Sequence, residues 1–153
     1  ACYAGGVGLV AACDLAIAAA PTVFCLTEVR IGLIPATIAP YVVRAIGPRA
    51  ASRYFLTAET MPAPVAHTLG LVHDCVAPQE LDVAIARWAQ HLRQGAPGAI
   101  EACKRLIRDV ASGPLGEPVI ADTAARIAAA RASVEGREGV QAFLERRKPR
   151  WIE

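Results

Sequence analysis

Charged side chains are scarce at the start of this sequence, where Asp14 is the only Asp, Glu, Lys or Arg before Glu28. Over the whole chain the formal net charge is only +2, which is too small to indicate a nucleic-acid-binding surface. Long apolar runs are missing as well, because Asp14, Pro21 and Glu28 interrupt them before they reach the ~18–20 residues of a membrane-spanning helix. We therefore expect neither nucleic acid nor a membrane among the partners.

Paired cysteines are also missing, since the five cysteines lie singly and form no C-x-x-C motif. Their odd number and their isolation argue against a disulfide framework and against a zinc site. We expect buried free thiols, no bound metal and a reducing, cytoplasmic location. The positions are Cys2, Cys13, Cys25, Cys75 and Cys103.

Apolar residues are abundant and make up 54% of the 153 residues. A chain of this length can bury about 68–70% of its unfolded surface in one domain. The remaining apolar surface favours burial at a subunit interface. The chain starts with Ala1, and its first ten residues already resemble the middle of a motif. We therefore expect the C-terminal part of a longer protein.

The first half of the chain has the pattern of a mixed α/β fold. Gly5-Gly6 predicts a tight turn, followed by a short apolar helix over 7–13 whose first amides would point out of that turn. The runs 15–18 and 23–26 are too short for helices and predict buried strands. Glu28 would then stand at the carboxyl end of a strand, where open α/β folds place their sites. The other predicted elements are helices over 41–46, 49–56 and 64–69 and a strand over 71–76.

From Gln79 onward the pattern is helical throughout. In the first of these helices the apolar residues recur at i, i+4, i+7 and i+11 and form one face. That face consists of Leu81, Ile85, Trp88 and Leu92. The predicted helices span 79–94, 98–111, 117–133 and 136–147. We therefore divide the chain into a mixed α/β part, 1–78, and a helical part, 79–153.

Three segments of the sequence carry recognisable motifs, namely A-G-G-V-G-L-V-A-A-C-D-L-A-I-A, F-C-L-T-E-V-R-I-G-L-I-P and the tail E-G-V-Q-A-F-L-E-R-R-K-P-R-W. Together they resemble one known family, the crotonase superfamily of enoyl-CoA hydratases and isomerases. The stretch E-V-R-I-G-L-I-P-A-T-I-A-P-Y-V-V-R-A-I-G resembles the subgroup that includes methylglutaconyl-CoA hydratase. The resemblance implies an α/β crotonase (ClpP/crotonase-like) fold, with 1–78 in the core and 79–153 as an oligomerisation region. It also implies a homo-oligomer, either a trimer or a dimer of trimers.

The same resemblance implies a site for an acyl-CoA thioester. The backbone N–H of Gly5 stands at the position of one oxyanion-hole donor, and Glu28 at that of a catalytic acid/base. Substrate-binding positions fall on Gly6, Gly8 and Pro35. The second oxyanion donor is expected in a segment preceding this chain. Coenzyme A is part of the substrate, and no separate cofactor is expected.

Gly8 departs from the family pattern, because hydratases of the family typically have the first of two glutamates there. The implied reaction is hydration of a 2-enoyl-CoA, with a branched or 3-methylglutaconyl-type acyl group as the candidate. One alternative is an enoyl-CoA isomerase that moves the double bond with the single acid Glu28. A second alternative is a non-catalytic homologue that binds acyl-CoA or only oligomerises.

Simpler structural roles remain open for three of these features. Glu28 could form an ordinary ion pair with Arg30 or Arg44, and Gly5-Gly6 could be a plain turn. The basic cluster near the C-terminus could be a solvated helix end, favourable to the helix dipole. Alternatively, Arg147 and Lys148 could contact the phosphates of coenzyme A.

Overall fold

The computed structural model describes residues 1–111 and 113–152. Two compact units divide the chain, Ala1–Ala86 and Arg87–Glu153. The strands of the described residues all lie in the first unit and are β1 (Cys2–Tyr3), β2 (Ile17–Ala19), β3 (Val23–Cys25), β4 (Met61–Pro62) and β5 (Asp74–Val76). The helices are α1 (Gly5–Ala12), α2 (Ala39–Thr57), α3 (Ala63–Leu69), α4 (Leu81–Gln94), α5 (Pro97–Val110), α6 (Glu117–Ala132) and α7 (Val134–Leu144). Single 3₁₀ turns precede α2 and α4, over Glu28–Ile31 and Pro78–Glu80.

The strands of the first unit form two small sheets. In one sheet β3 is central, with β1 parallel on one side and β4 antiparallel on the other. In the other sheet β2 and β5 pair in parallel. The predicted strands at 15–18, 23–26 and 71–76 are thus present with shifted ends.

The core of the first unit lies between these sheets and helices α1, α2 and α3. Phe24 and Leu26 flank the end of β3 and are buried, as are Val7 of α1 and Val42 of α2. The uniformly apolar α1 is only partly covered, because Leu9 keeps 74% of its surface exposed.

Helix α2 merges the two helices that the sequence predicts over 41–46 and 49–56. Gly47 has φ 74° and ψ 160°, which is outside the helical region, so the helix is kinked there. Pro48 follows the kink and begins a new turn, since a proline is tolerated at the start of a helical segment. The predicted break is therefore real, although the helical segments on either side adjoin.

Helices α5, α6 and α7 form the second unit together with the end of α4. The carboxylate of Glu135 in α7 accepts hydrogen bonds from the Gly98 and Ala99 amides at the start of α5, both at 3.1 Å. The indole N–H of Trp151 donates to the Gln94 carbonyl at 3.1 Å. The helical content expected for this part of the chain is present. The assignment of 1–78 to a catalytic core and of 79–153 to oligomerisation stays a prediction.

The cysteines correct one expectation. All five are free, but only Cys25 is buried, while Cys13 and Cys103 are exposed. Cys13 follows the last turn of α1 and Cys103 lies on α5. At both positions no other part of the described chain packs over the thiol enough to bury it. The expected burial is therefore wrong for these two thiols.

Candidate active site

The pairing of β1 with β3 brings the two predicted catalytic positions to one edge of the sheet. The strands run parallel, with Tyr3 opposite Cys25. Gly5 follows the end of β1 and Glu28 follows the end of β3. The Ala4 amide donates to the Cys25 carbonyl at 2.8 Å and extends the pairing to this edge. The carboxyl ends of parallel strands are where α/β proteins commonly bind ligands.

The turn between β1 and α1 has a strained backbone. Ala4 adopts φ 48° and ψ −120°, a backbone conformation that residues other than glycine rarely take. Such strain tends to occur at functional sites, where the surrounding fold enforces it. The turn directs the chain at once into α1, whose first residue is Gly5.

The start of α1 is suited to an oxyanion. The first amides of a helix have no partner in its i to i−4 hydrogen-bond ladder. Here the Val7 amide donates to the Ala4 carbonyl at 2.9 Å, and no side-chain cap is found at this end among the described residues. The helix dipole adds partial positive charge at this end. A Cβ built on Gly5 would meet no atom within 4 Å, whereas one on Gly6 would lie 3.2 Å from the Cys2 sulfur. Space for a ligand thus exists beside Gly5.

Glu28 begins the 3₁₀ turn Glu28–Ile31 and is half-buried. Its Oε2 atom is buried and has no hydrogen-bond partner within the described chain. A buried carboxylate oxygen without a partner is costly, and such groups in native proteins call for a functional or solvent explanation. The arrangement suits an oxygen that exchanges a proton with water or substrate.

The structure does not support the simpler reading of Glu28 as half of an ion pair. The Arg30 guanidinium donates to the Ala58 carbonyl at 2.5 Å instead. Across residues 1–111 and 113–152, the ion pairs found do not include Glu28, Arg30 or Arg44.

Gly8 and Pro35 shape the wall beside this edge. A Cβ on Gly8 would lie 2.1 Å from Cγ2 and 2.5 Å from Cβ of Ile38. Ile38 is in turn held by its amide, which donates to the Pro35 carbonyl at 3.2 Å. Pro35 is buried, and its carbonyl also accepts from the Ala39 amide at the start of α2. As packed here, the position of Gly8 has no room for a glutamate.

Arg147 and Lys148 lie in the second unit. The Arg147 guanidinium binds the carboxylates of Glu138 and Glu145, each with a closest distance of 2.6 Å. The hydrogen bond from Arg147 holds the pKa of Glu138 below its ordinary value, although desolvation opposes the shift. These carboxylates already neutralise Arg147, while Lys148 is exposed. Contact between this pair and coenzyme A stays a prediction.

Three features of the site have no signal in the sequence. They are the strained backbone of Ala4, the packing of Ile38 on Gly8 and the hydrogen bond from Arg30 to Ala58. Each depends on chain segments that meet only in the fold. Within the described ranges there is no cluster of metal-ligating side chains, and no helix is both long and apolar enough to cross a membrane.

Comparison with known proteins places these observations in one family. The model of a family described as enoyl-CoA hydratase/isomerase matches residues 1–153. The crystal structure of an enoyl-CoA hydratase from Shewanella pealeana is 42% identical, with a TM-score of 0.93 over 97% of this chain and 56% of that one. The structure of Pseudomonas aeruginosa AtuE is also 42% identical, with a TM-score of 0.93 over 99% of this chain and 58% of that one.

The curated relatives agree with the solved structures. The 2,3-dehydroadipyl-CoA hydratase of Escherichia coli strain K12 is 30% identical over 151 residues, which cover 96% of this chain and 58% of that protein. The chain spans between 36% and 58% of the length of the curated relatives it matches. The resemblance to the crotonase superfamily and its fold is thus confirmed, while the methylglutaconyl-CoA hydratase subgroup stays a prediction.

Proposed function

Because the chain belongs to the enoyl-CoA hydratase/isomerase family, we propose that it supplies part of the active site of an enzyme that hydrates a 2-enoyl-CoA thioester. The observation that carries this proposal is Glu28, whose buried Oε2 has no hydrogen-bond partner in the described chain. It stands at the same sheet edge as the uncapped start of α1. An acid/base group and an oxyanion donor side by side are what the reaction requires.

In the proposed reaction the thioester carbonyl accepts a hydrogen bond from the Gly5 amide. Glu28 takes a proton from water as the water oxygen bonds to the β-carbon. The electrons of the double bond pass to the thioester, giving an enolate that the Gly5 amide stabilises. Glu28 then returns a proton to the α-carbon. A preorganised donor of this kind contributes about 2.7–4 kcal/mol to transition-state stabilisation.

For the acyl group we propose a branched or 3-methylglutaconyl-type chain. Support comes from the pattern after Glu28 and from the E. coli relative, which is named for a dehydroadipyl thioester. The 3-methylglutaconyl and dehydroadipyl groups each carry one free carboxylate in addition to the thioester. Gly6, Gly8 and Pro35 are the positions we assign to substrate binding.

An isomerase is the second candidate, and the packing at Gly8 favours it. Ile38 occupies the space that a side chain at position 8 would need, so a second acid is absent there. In this reaction Glu28 alone would remove a proton from one carbon and return it to another. The third candidate, a homologue that binds or oligomerises without catalysis, does not explain the unpartnered buried oxygen of Glu28.

Substrate preference tests the proposal in the intact protein that contains this chain. Crotonyl-CoA, 3-methylglutaconyl-CoA and a 3-enoyl-CoA are each incubated with it, and the products are identified by mass spectrometry. We expect addition of one water to a 2-enoyl thioester, with the glutaconyl type preferred. Conversion of the 3-enoyl-CoA without water addition would establish the isomerase instead. Binding without turnover of any of the three would establish the non-catalytic homologue.

A further inference from the structure

One backbone carbonyl, that of Ala58, joins three segments of the first unit. It accepts a hydrogen bond from the Arg30 guanidinium at 2.5 Å and another from the Cys25 thiol at 3.1 Å. Ala58 is fully buried and directly follows α2, with φ 49° and ψ 28° in the left-handed region. This conformation is uncommon for alanine. The fold therefore holds a strained residue at the point where both donors converge.

The two donors lie on either side of Glu28 in the chain. Cys25 is the last residue of β3, three residues before Glu28, and Arg30 lies two residues after it in the same 3₁₀ turn. Within the turn the Arg30 amide donates to the Thr27 carbonyl at 3.0 Å, and the Leu33 amide donates to the Glu28 carbonyl at 3.0 Å. The backbone that carries Glu28 is thus anchored before and after it.

This anchoring matters because one oxygen of the Glu28 carboxylate, the buried Oε2, has no hydrogen bond to hold it in the described chain. The direction of the side chain must then follow from where the backbone is held. A catalytic group displaced by about 1 Å can lose roughly a hundredfold in rate.

From this geometry we infer that Arg30 is a positioning residue, which holds the Glu28 turn against the end of α2 through the Ala58 carbonyl. The inference rests on the proposed catalytic role of Glu28. An arginine suits the place, because the C-terminal end of a helix carries partial negative charge and uncompensated carbonyls. Cys25 assists through its thiol from the end of β3.

The inference is tested with Arg30→Gln and Arg30→Lys in the intact protein, with Arg49→Gln as the matched control. Arg49 is an exposed arginine in the first unit. We expect Arg30→Gln to lower kcat about tenfold to a hundredfold while KM changes less than about twofold, because Arg30 is inferred to position the acid and not to bind substrate. Arg30→Lys keeps the cation and should recover part of the kcat. Arg49→Gln should match wild type.

Amide hydrogen exchange provides a readout that does not depend on activity. We expect Arg30→Gln to accelerate exchange at the amides of residue 30 and Leu33 at least about tenfold, because these bonds open when the turn is released. Unchanged exchange together with a kcat within twofold of wild type would overturn the inference. Inactivity of wild type toward every enoyl-CoA would refute the proposed function, and the exchange result would still decide whether Arg30 holds the turn.

Discussion

Among single residues, Gly8 is the position where the resemblance to the family leads us to expect a glutamate. A Cβ there would lie 2.1 Å from Cγ2 of Ile38, well inside van der Waals contact. Ile38 cannot easily yield, since a β-branched side chain has few rotamers and this one stands directly before α2. Ile38 thus fills the space that a side chain at position 8 would need.

This packing predicts that Gly8→Ala destabilises the protein by about 1–3 kcal/mol, the usual cost of overpacking a filled site. Urea denaturation of the intact protein measures the loss. The double variant Gly8→Ala/Ile38→Ala should recover part of it, because the truncated neighbour makes room. A double variant whose loss equals the sum of the two single losses would contradict the packing explanation.

Residue chemistry explains which parts of the site the sequence could predict. Glu28 stands out because it is only the second charged side chain of the chain. The turn expected at Gly5-Gly6 lies one residue earlier, at Ala4, because both glycines already belong to α1 and not to a turn before a helix over 7–13. Ala4 and Ala58 give no such signal, since an alanine in the left-handed region cannot be told from any other alanine. The hydrogen-bond partner of Arg30 cannot be predicted from the sequence either, because the Ala58 carbonyl lies 28 residues away and is brought to Arg30 only by the fold.

Among the helices, a side chain of α7 caps the N-terminus of α5. Glu135 accepts from both Gly98 and Ala99, so two of the otherwise unsatisfied amides of α5 have a carboxylate partner. A Cβ on Gly98 would come within 2.9 Å of Glu135 Oε2. A larger residue at position 98 would therefore require the Glu135 carboxylate to shift.

We predict that Glu135→Ala costs about 1 kcal/mol of stability, as for the loss of an N-cap. The matched control is Glu101→Ala, which removes an exposed i,i+4 pair with Arg105. That pair contributes only about 0.3–0.5 kcal/mol. Urea denaturation compares the two variants. Equal losses would show that Glu135 acts as an ordinary surface charge.

The sequence predicts helices and breaks where the signal is local, and it predicts less where burial depends on residues distant in the chain. Gly47-Pro48 predicts a break between two helices, and the structure shows a kink there within α2, because both residues act on their own backbone. The apolar face expected on α4 is present as a pattern, yet Ile85 remains half exposed. Spacing identifies which residues share a face, but burial of that face depends on what packs against it.

At the scale of the whole molecule, large apolar side chains remain exposed in both units. In the second unit Leu115 keeps 84% and Phe143 81% of its surface exposed. Exposed apolar surface on this scale is unusual for a soluble monomer and commonly marks an interface. The expectation of a trimer or a dimer of trimers rests on this surface and on the family resemblance, and it stays a prediction.

Light scattering of the intact protein tests the oligomer. We predict a mass three or six times that of one protomer. Phe143→Glu should lower that mass or its stability to dilution, because a buried charge at an interface is costly. The control Lys148→Glu alters an exposed residue and should leave the mass unchanged. A monomeric mass for wild type would exclude the predicted assembly.

We propose that Glu28 moves the protons in hydration of an enoyl-CoA. The most direct test is the kcat of Glu28→Gln in the intact protein, followed through loss of the conjugated thioester absorbance of crotonyl-CoA or 3-methylglutaconyl-CoA. Glu59→Gln is the control, because Glu59 is a carboxylate paired with Arg53 at the surface. We predict that Glu28→Gln lowers kcat at least about a hundredfold and that Glu59→Gln stays within about twofold of wild type. A Glu28→Gln variant as active as wild type would show that Glu28 is not the acid/base of the reaction.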